Sequence, residues 1–278
     1  MNSAQGHLKL AIAGFAIELD LPDPAWWPPL LPRLGAFLCD RPADARLTVA
    51  LTLTGELPEV GEPLIFQDDA GTHLCHDQYH GTLSSDGSAK LRVLDPSSQS
   101  ASPDAIFPMA IDGLLRLQIS QLLTQQGGVM MHAAGIAGPN ACGSVFFGPS
   151  GSGKTTLCGL SSARYDVLCD ELVAVRLDGP EPELHSTPFF GAWGSSLPGT
   201  RPLAALYRLR KATQHRVSPL TPPAAIREIL ESTVYYDQSP KGLARSLEIA
   251  QRLVEQVPVR ELHFALEESV WDTITQQV

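Results

Sequence analysis

Alternating apolar and polar positions dominate the first third of the chain. Between His7 and about Asp95 they predict a series of half-buried strands. Asp86-Gly87 separates two such runs, Tyr79–Leu83 and Leu91–Leu94, and this arrangement predicts a hairpin. We therefore expect a smaller β-rich N-terminal region over residues 1–104.

The pattern changes after the Pro- and Ser-rich stretch Pro96–Pro103, which reads as a linker or long loop. Apolar residues from Ile111 to Leu123 share one helical face, and Gly127-Gly128 ends that helix. Further strands are predicted at Val129–Ala134, Val145–Phe147, Val167–Cys169, Leu172–Leu177 and in the run that follows Val257. Further helices are predicted at Leu203–Ala212, Pro223–Glu231 and Leu243–Val254. This mixture predicts an α/β domain with a mixed β-sheet over residues 105–278.

A glycine-rich loop follows the predicted strand Val145–Phe147. Its sequence, G-P-S-G-S-G-K-T from Gly148 to Thr155, matches the pattern G-x-x-x-x-G-K-[ST] of a phosphate-binding loop, or Walker A motif. In such a loop the backbone amides and the helix N-terminus face the phosphates, the lysine reaches the β- and γ-phosphates, and the hydroxyl binds magnesium. The predicted nucleotide-binding residues are Gly148, Ser150, Gly151, Ser152, Gly153, Lys154, Thr155 and Thr156. The alternative is a chance Gly/Ser loop.

Two acidic residues, Asp170 and Glu171, directly follow the apolar strand Val167–Cys169. A carboxylate that binds magnesium is expected at the end of an apolar strand that follows the loop helix closely in sequence. The alternative is an ordinary charged strand end.

Composition narrows the classes of function. The chain has 278 residues, is 44% apolar, and carries 30 acidic against 20 basic side chains, which gives a formal net charge of −10. This balance argues against a nucleic-acid partner. No apolar run approaches the ~20 residues that span a bilayer. The five cysteines have no paired spacing and no secretory signal is evident, so we expect reduced thiols in a cytoplasmic protein.

Four potential zinc ligands lie close together in the N-terminal region: His73, Cys75, His76 and His80. Their spacing matches no common zinc pattern. A strand and turn with polar side chains is the favoured interpretation.

The stretch Met130–Val175 resembles the C-terminal kinase domain of HPr kinase/phosphorylase, in the PEP carboxykinase-like superfamily. The resemblance rests on a histidine before the loop, His132, on the loop itself, and on the acidic pair. Glu171 stands where these enzymes usually have a second Asp. The resemblance implies an HPr kinase-like P-loop domain that uses ATP and Mg²⁺.

The resemblance also implies roles for individual residues. Lys154 would hold the triphosphate, and Thr155, Asp170 and Glu171 would be the metal-side ligands. Asp170 would act as the base that accepts the hydroxyl proton, and His132 would support the acceptor or the phosphoryl group. The alternative for His132 is a histidine packed within its strand. Apart from the resemblance, Arg201 is expected to neutralise charge in the transition state, as a basic residue can in phosphoryl transfer. The alternative is a solvated loop arginine.

The main hypothesis is an ATP-dependent serine kinase that transfers the γ-phosphate to a Ser/Thr hydroxyl of a peptide or small protein. The alternatives are a nucleotide-binding, non-catalytic partner or scaffold protein and a small-molecule kinase. A homo-oligomer is also left open.

An acceptor site is predicted from the Gly/Pro-rich run Ser186–Pro202 and the bases after it. Three large aromatic residues in this run, Phe189, Phe190 and Trp193, are expected to pack against a peptide. A basic cluster is expected beside them: Arg201, Arg208, Arg210 and Lys211. The alternative is that the aromatics belong to the core and the bases to a solvated helix face.

Overall fold

The computed structural model describes residues 7–95, 103–234, 237 and 239–276. The proposed linker at residues 96–103 lies almost entirely outside them. Contacts divide the chain into two compact units, Met1–Gln121 with Tyr236–Ser239, and Leu122–Tyr235 with Pro240–Val278. The division falls inside a helix, whereas the sequence pattern placed it at residue 104.

The first unit contains seven strands and two α-helices within the described residues. They are β1 (His7–Ile12), β2 (Phe15–Asp20), α1 (Leu31–Leu34), β3 (Ala45–Thr54), β4 (Leu64–Asp68), β5 (Gly71–His76), β6 (Tyr79–Leu83), β7 (Ser88–Leu94) and most of α2 (Pro103–Gln125). The strands form one mixed sheet in the order β1-β2-β3-β7-β6-β5-β4. The β-rich prediction for this region is therefore confirmed.

The predicted hairpin at Asp86-Gly87 is present. Strands β6 and β7 pair antiparallel, with Leu83 opposite Ala89. Gly87 has a φ of 84°, a conformation that a residue without Cβ adopts readily. Alternation along β7 buries Ala89, Leu91 and Val93, as a half-buried strand requires.

Helix α2 belongs mainly to the first unit because its side chains bind that unit's sheet. Gln118 Nε2 donates to the carbonyl of Arg46 at 2.7 Å, and Gln121 Nε2 donates to Thr72 Oγ1 at 2.9 Å. Leu114 lies against Gly81 of β6, because a Cβ on Gly81 would lie 3.0 Å from Leu114 Cδ2.

The second unit contains eight strands and four further helices within the described residues. They are β8 (Val129–Ala137), β9 (Gly143–Phe147), α3 (Lys154–Ser161), β10 (Asp166–Cys169), β11 (Leu172–Arg176), β12 (Glu183–His185), β13 (Thr200–Lys211), β14 (Arg216–Pro219), α4 (Pro222–Ser232), α5 (Pro240–Gln256), β15 (Val259–Phe264) and α6 (Val270–Thr275). The strands form a mixed sheet in the order β10-β8-β11-β12-β13-β15-β14, with β9 paired to β8 and β13. The chain is thus a mixed α/β protein.

Helices cover both faces of the second sheet. Phe147 faces the cluster that includes Ile229 of α4 and Leu253 of α5. Its neighbour Phe146 faces the opposite cluster, with Leu157 of α3 and Trp271 of α6. Because β9 is buried on both sides, its residues read as a continuous apolar run rather than an alternating one.

The prediction of a helix at Leu203–Ala212 is wrong, because all of these residues except Ala212 lie in the long strand β13. This strand pairs in parallel with both β9 and β15, so it is central in the sheet. Residues from Ala205 to Leu209 include side chains buried on both faces, which hides the period-two pattern. The Leu, Ala and Arg content of the run then favours a helix by intrinsic propensity alone.

Strand β8 is longer than predicted and continues through Gly135 to Ala137. A side chain at Gly135 would meet Val173 Cγ1 at 3.0 Å and Leu184 Cδ2 at 3.3 Å, so glycine allows the strand to pass. The helices predicted at Pro223–Glu231 and Leu243–Val254 are confirmed as α4 and α5. Among the described helices, none combines the length and the apolar content that a membrane span needs.

Candidate functional site

The glycine-rich loop connects the buried end of β9 to the start of α3. Gly148, Gly151 and Gly153 have φ values of 152°, 74° and 105°, in the region that side chains other than hydrogen disfavour. Gly153 also has no room for a side chain, because a Cβ there would lie 2.6 Å from Phe264 Cζ. Strand, loop and helix therefore follow one another as a phosphate-binding loop requires.

Two glycine variants should separate backbone strain from steric exclusion. Gly151→Ala introduces strain alone, since no heavy atom lies within 4 Å of the position that its Cβ would occupy. Gly153→Ala adds a clash with Phe264, which is 1% exposed and has little space to move. We expect Gly153→Ala to lose about 1–3 kcal/mol more unfolding free energy than Gly151→Ala in denaturant titrations. Equal losses would contradict the close packing of Phe264 on the loop.

Lys154 is folded back onto the loop. Its Nζ donates to the carbonyl of Gly148 at 2.9 Å, and its side chain is largely buried. Burial lowers the pKa of Lys154, and the positive charge of Arg208 lowers it further. The negative charges of Glu171 and Asp170 oppose this shift. Within the described residues, Lys154 Nζ donates only to the carbonyls of Gly148 and Pro149, and such a cation would gain from an anionic ligand at this position.

Ser152 carries a second group that points to a ligand. Ser152 is 9% exposed, and within the described part of the chain its hydroxyl has no hydrogen-bond partner. A buried hydroxyl without a partner costs free energy unless a bound group satisfies it. Ser150, Gly151, Thr155 and Thr156 are exposed on the same loop and helix start.

Asp170 does not have the position expected of a base. It is 1% exposed, its Oδ1 accepts from Gly191 N at 2.8 Å, and its Oδ2 accepts from Trp193 N at 2.8 Å. Both carboxylate oxygens are thus engaged by the segment Ser186–Gly199, which we call the 186–199 loop. In the structure this carboxylate fixes the 186–199 loop, and its predicted catalytic and metal-binding roles stay predictions.

Glu171 is the more accessible acid of the pair. Its side chain is 34% exposed, and its Oε2 lies 3.8 Å from Nε2 of His132 on the neighbouring strand β8. The pairing of β8 with β11 fixes this proximity, since His132 is opposite Leu172 and Ala133 N donates to Glu171 O at 3.0 Å. The structure therefore brings His132 and Glu171 together, while their predicted roles stay predictions.

Gly191 of the 186–199 loop packs against both residues of the acidic pair. A Cβ at Gly191 would lie 2.8 Å from Glu171 Oε2 and 3.4 Å from Asp170 Oδ2. By holding Gly191, Asp170 thus also fixes one wall around the Glu171 carboxylate.

Arg201 lies far from the loop, so its predicted contact with the phosphate site is wrong. It pairs with Leu184 of β12, and its Nη2 lies 3.5 Å from Oδ2 of Asp166. Arg208, further along the same strand, is the residue opposite Phe147 at the end of β9. At ~3.3 Å per residue, Arg201 lies about 23 Å before Arg208 along β13.

The predicted aromatic and basic acceptor site is also dispersed. Phe189 is fully buried and Trp193 is half-buried, with its ring 3.9 Å from the Cβ position of Gly159 in α3. Arg208 is buried against Glu228, and Arg210 Nε donates to Glu261 Oε2 at 2.9 Å. The alternative in which the aromatics belong to the core therefore holds for Phe189.

Glu228 is a residue of the site that sequence reasoning missed. It is 6% exposed and lies on α4 next to the buried Ile229. A signal was present, because an acid on the otherwise apolar face of an amphipathic helix indicates a buried partner.

The residues near the loop are compatible with magnesium. Among the residues that the structure describes, no three His, Cys, Asp or Glu side chains form a metal cluster. Magnesium bound with a nucleotide commonly takes only one or two carboxylates, with phosphates and waters completing its shell. Glu171 and the exposed hydroxyl of Thr155 fit that requirement, whereas both oxygens of Asp170 already accept amide hydrogens.

The fold and the loop thus define a mixed α/β protein with a strand–glycine loop–helix site. No protein-family model matches the chain, and a search of curated proteins finds no match. Among solved structures, the chain is similar to the Hpr(Ser) kinase/phosphatase from Coxiella burnetii, with 12% identity and a TM-score of 0.32. That similarity covers 53% of this chain and 95% of the other. This structural similarity is too remote to carry an argument.

Proposed function

We propose that this protein binds ATP with magnesium at residues 148–155 and transfers the γ-phosphate to a Ser/Thr hydroxyl of a peptide or small protein. One observation carries the proposal: a buried lysine and a buried, unpartnered serine hydroxyl lie on a loop with three positive-φ glycines, between β9 and α3 in the described part of the chain. An anionic ligand would satisfy both groups. The acceptor class rests on the sequence resemblance of Met130–Val175 to HPr kinase/phosphorylase.

Triphosphate binding would begin with the release of Lys154 from the loop. Its Nζ exchanges the carbonyl of Gly148 for phosphate oxygens, which are charged and therefore stronger acceptors. The hydroxyl of Ser152 then donates to the same phosphate chain. Bound magnesium would neutralise phosphate charge, with Thr155 and Glu171 as its nearest protein ligands.

The acceptor hydroxyl would lose its proton to Glu171, which is partly exposed where Asp170 is not. His132 sits beside the carboxylate and would hold its orientation. Asp170 keeps the 186–199 loop in place through Gly191 and Trp193. In this proposal Asp170 has a structural role and Glu171 is the reactive carboxylate.

The direct test is phosphotransfer by the wild-type chain. Purified protein is incubated with γ-labelled ATP, magnesium and a mixture of Ser- and Thr-containing peptides. We expect labelled phosphopeptide and an equal amount of ADP, both dependent on magnesium. Label transfer to small hydroxyl metabolites, with none to peptides, would instead indicate a small-molecule kinase.

A nucleotide-binding scaffold is the second candidate, and the engagement of Asp170 favours it. A kinase with this acidic pair would lose one of two reactive carboxylates to the 186–199 loop. Saturable ATP binding without ADP formation, in the presence of peptide and small-molecule acceptors, would support this scaffold function.

A further inference from the structure

Arg208 brings a second cation to the loop. It lies opposite Phe147, the last residue of β9, in the parallel pairing of β9 and β13. Its Nη1 is 2.9 Å from the position that a Cβ on Gly148 would occupy. The guanidinium is therefore packed directly against the first residue of the loop, where any larger residue would displace it.

Glu228 of α4 holds this guanidinium. Arg208 Nε donates to Glu228 Oε2, Arg208 Nη1 donates to the carbonyl of Leu209 at 2.8 Å, and both side chains are less than a tenth exposed. Arg210 and Arg227 also approach Glu228, at 3.7 Å and 3.5 Å. Arg210 also pairs with Glu261, and Arg227 with Glu231, so the charges around Glu228 are balanced.

The requirements of packing do not explain such a pair. Removing two charges from water costs free energy that their attraction repays only in part, and apolar residues of similar volume often serve stability equally well. A buried arginine held in one orientation beside a phosphate-binding loop is instead typical of an anion site, because its planar fork matches phosphate oxygens.

Three donors converge at Gly148. Ser152 Oγ lies 3.0 Å from the same Cβ position that Arg208 Nη1 approaches. Lys154 Nζ donates to the carbonyl of this same glycine. Lysine at this motif position reaches the β- and γ-phosphates, so Arg208 approaches the same end of a bound triphosphate.

We propose that Arg208 contacts the terminal phosphate of the bound nucleotide together with Lys154 and Ser152, and that Glu228 is the positioning residue that aims Arg208. This inference rests on the proposed nucleotide-binding function. It replaces Arg201, which lies far along β13, as the arginine of the site. Arg208 discriminates ATP from ADP, because only ATP carries the phosphate that it meets.

The test compares the affinities for ATP and ADP, each with magnesium, by calorimetry. Arg208→Met is combined with Glu228→Gln so that no uncompensated charge is buried. We expect the double variant to bind ATP about 10- to 100-fold more weakly, as for the loss of hydrogen bonds to a charged group, with little change for ADP. Glu228→Gln alone keeps the cation but loosens it, and should lower the ATP-over-ADP preference by a smaller factor.

Arg210→Met is the matched control. Arg210 lies on the same strand, approaches the same carboxylate and is 45% exposed, but the atoms nearest to the Cβ position of Gly148 belong to Arg208 and Ser152. We expect its ATP-over-ADP preference to equal that of the wild type. An unchanged preference in the double variant, or an equal loss in Arg210→Met, would overturn the assignment of Arg208.

The outcomes separate this inference from the proposed function. If the wild type binds no ATP, the nucleotide-binding function fails; if it binds ATP and the double variant keeps the preference, only the role of Arg208 fails. Should the double variant not fold, Arg208→Lys retains the charge but loses the fork and shortens the reach. The ATP-over-ADP preference is then expected to fall in Arg208→Lys, and an unchanged preference would overturn the inference.

Discussion

Glu171→Gln is expected to lower the rate of phosphotransfer by about 10²- to 10⁴-fold, the range that a general base contributes. Glutamine has the same shape but cannot accept the hydroxyl proton. Glu171 is 34% exposed, so its replacement by glutamine buries no new polar group, and Asp170 remains as a negative charge near the buried Lys154. The melting temperature should therefore remain near that of the wild type. ATP should still bind through the loop and Lys154, although magnesium loses one carboxylate ligand.

Asp170→Asn is the matched comparison, since it makes the same chemical change on the adjacent residue. One of its two oxygens becomes an NH₂ group that faces a backbone N–H, at Gly191 or Trp193. We expect a loss of about 1–3 kcal/mol in unfolding free energy, as for a buried group left without its partner. If instead Asp170→Asn stopped transfer in a fully stable protein and Glu171→Gln stayed active, Asp170 would be the base after all.

Lys154→Met is expected to weaken the binding of ATP with magnesium by about 10- to 100-fold. The variant removes the cation that the motif directs to the β- and γ-phosphates, while the thioether chain fills a similar space. In the described structure Lys154 donates only to the carbonyls of Gly148 and Pro149, so its replacement breaks no ion pair in that part of the chain. Unfolding in denaturant should therefore show little change, and a large loss of stability would mean that the variant cannot report on binding.

The loop and its surroundings were largely predictable from the sequence because they are local. Glycines at fixed offsets, a lysine and two hydroxyls follow a strand of apolar residues, and each of these signals lies within one short segment. The strands β6 and β7 were predictable for the same reason, since Asp86-Gly87 specifies their turn.

The roles of the two acids were not predictable, because they depend on contacts between distant segments. The amides that bind Asp170 belong to Gly191 and Trp193, in a loop whose path the sequence does not specify. Spacing alone makes Asp170 and Glu171 equivalent. Tertiary structure distinguishes them by burying one and leaving the other partly exposed.

The predicted positions of the arginines were wrong because one element, strand β13, was predicted as a helix. As a helix, Leu203–Ala212 would have brought Arg208 closer to Arg201, because a helix rises only ~1.5 Å per residue. As the central strand β13, the same residues separate Arg201 from Arg208 and bring Arg208 to the end of β9. Burial on both faces of a central strand removes the alternation from which the strand would have been recognised.

The central claim is that the loop from Gly148 to Thr155 binds a nucleoside triphosphate. The most direct measurement is a calorimetric titration of the wild-type chain and of Lys154→Met with ATP and magnesium, at one salt concentration. A saturable wild-type isotherm with one site per chain, and an affinity about 10- to 100-fold lower in the variant, is the predicted result. No binding by the wild type, or equal affinities in two folded proteins, would contradict the account.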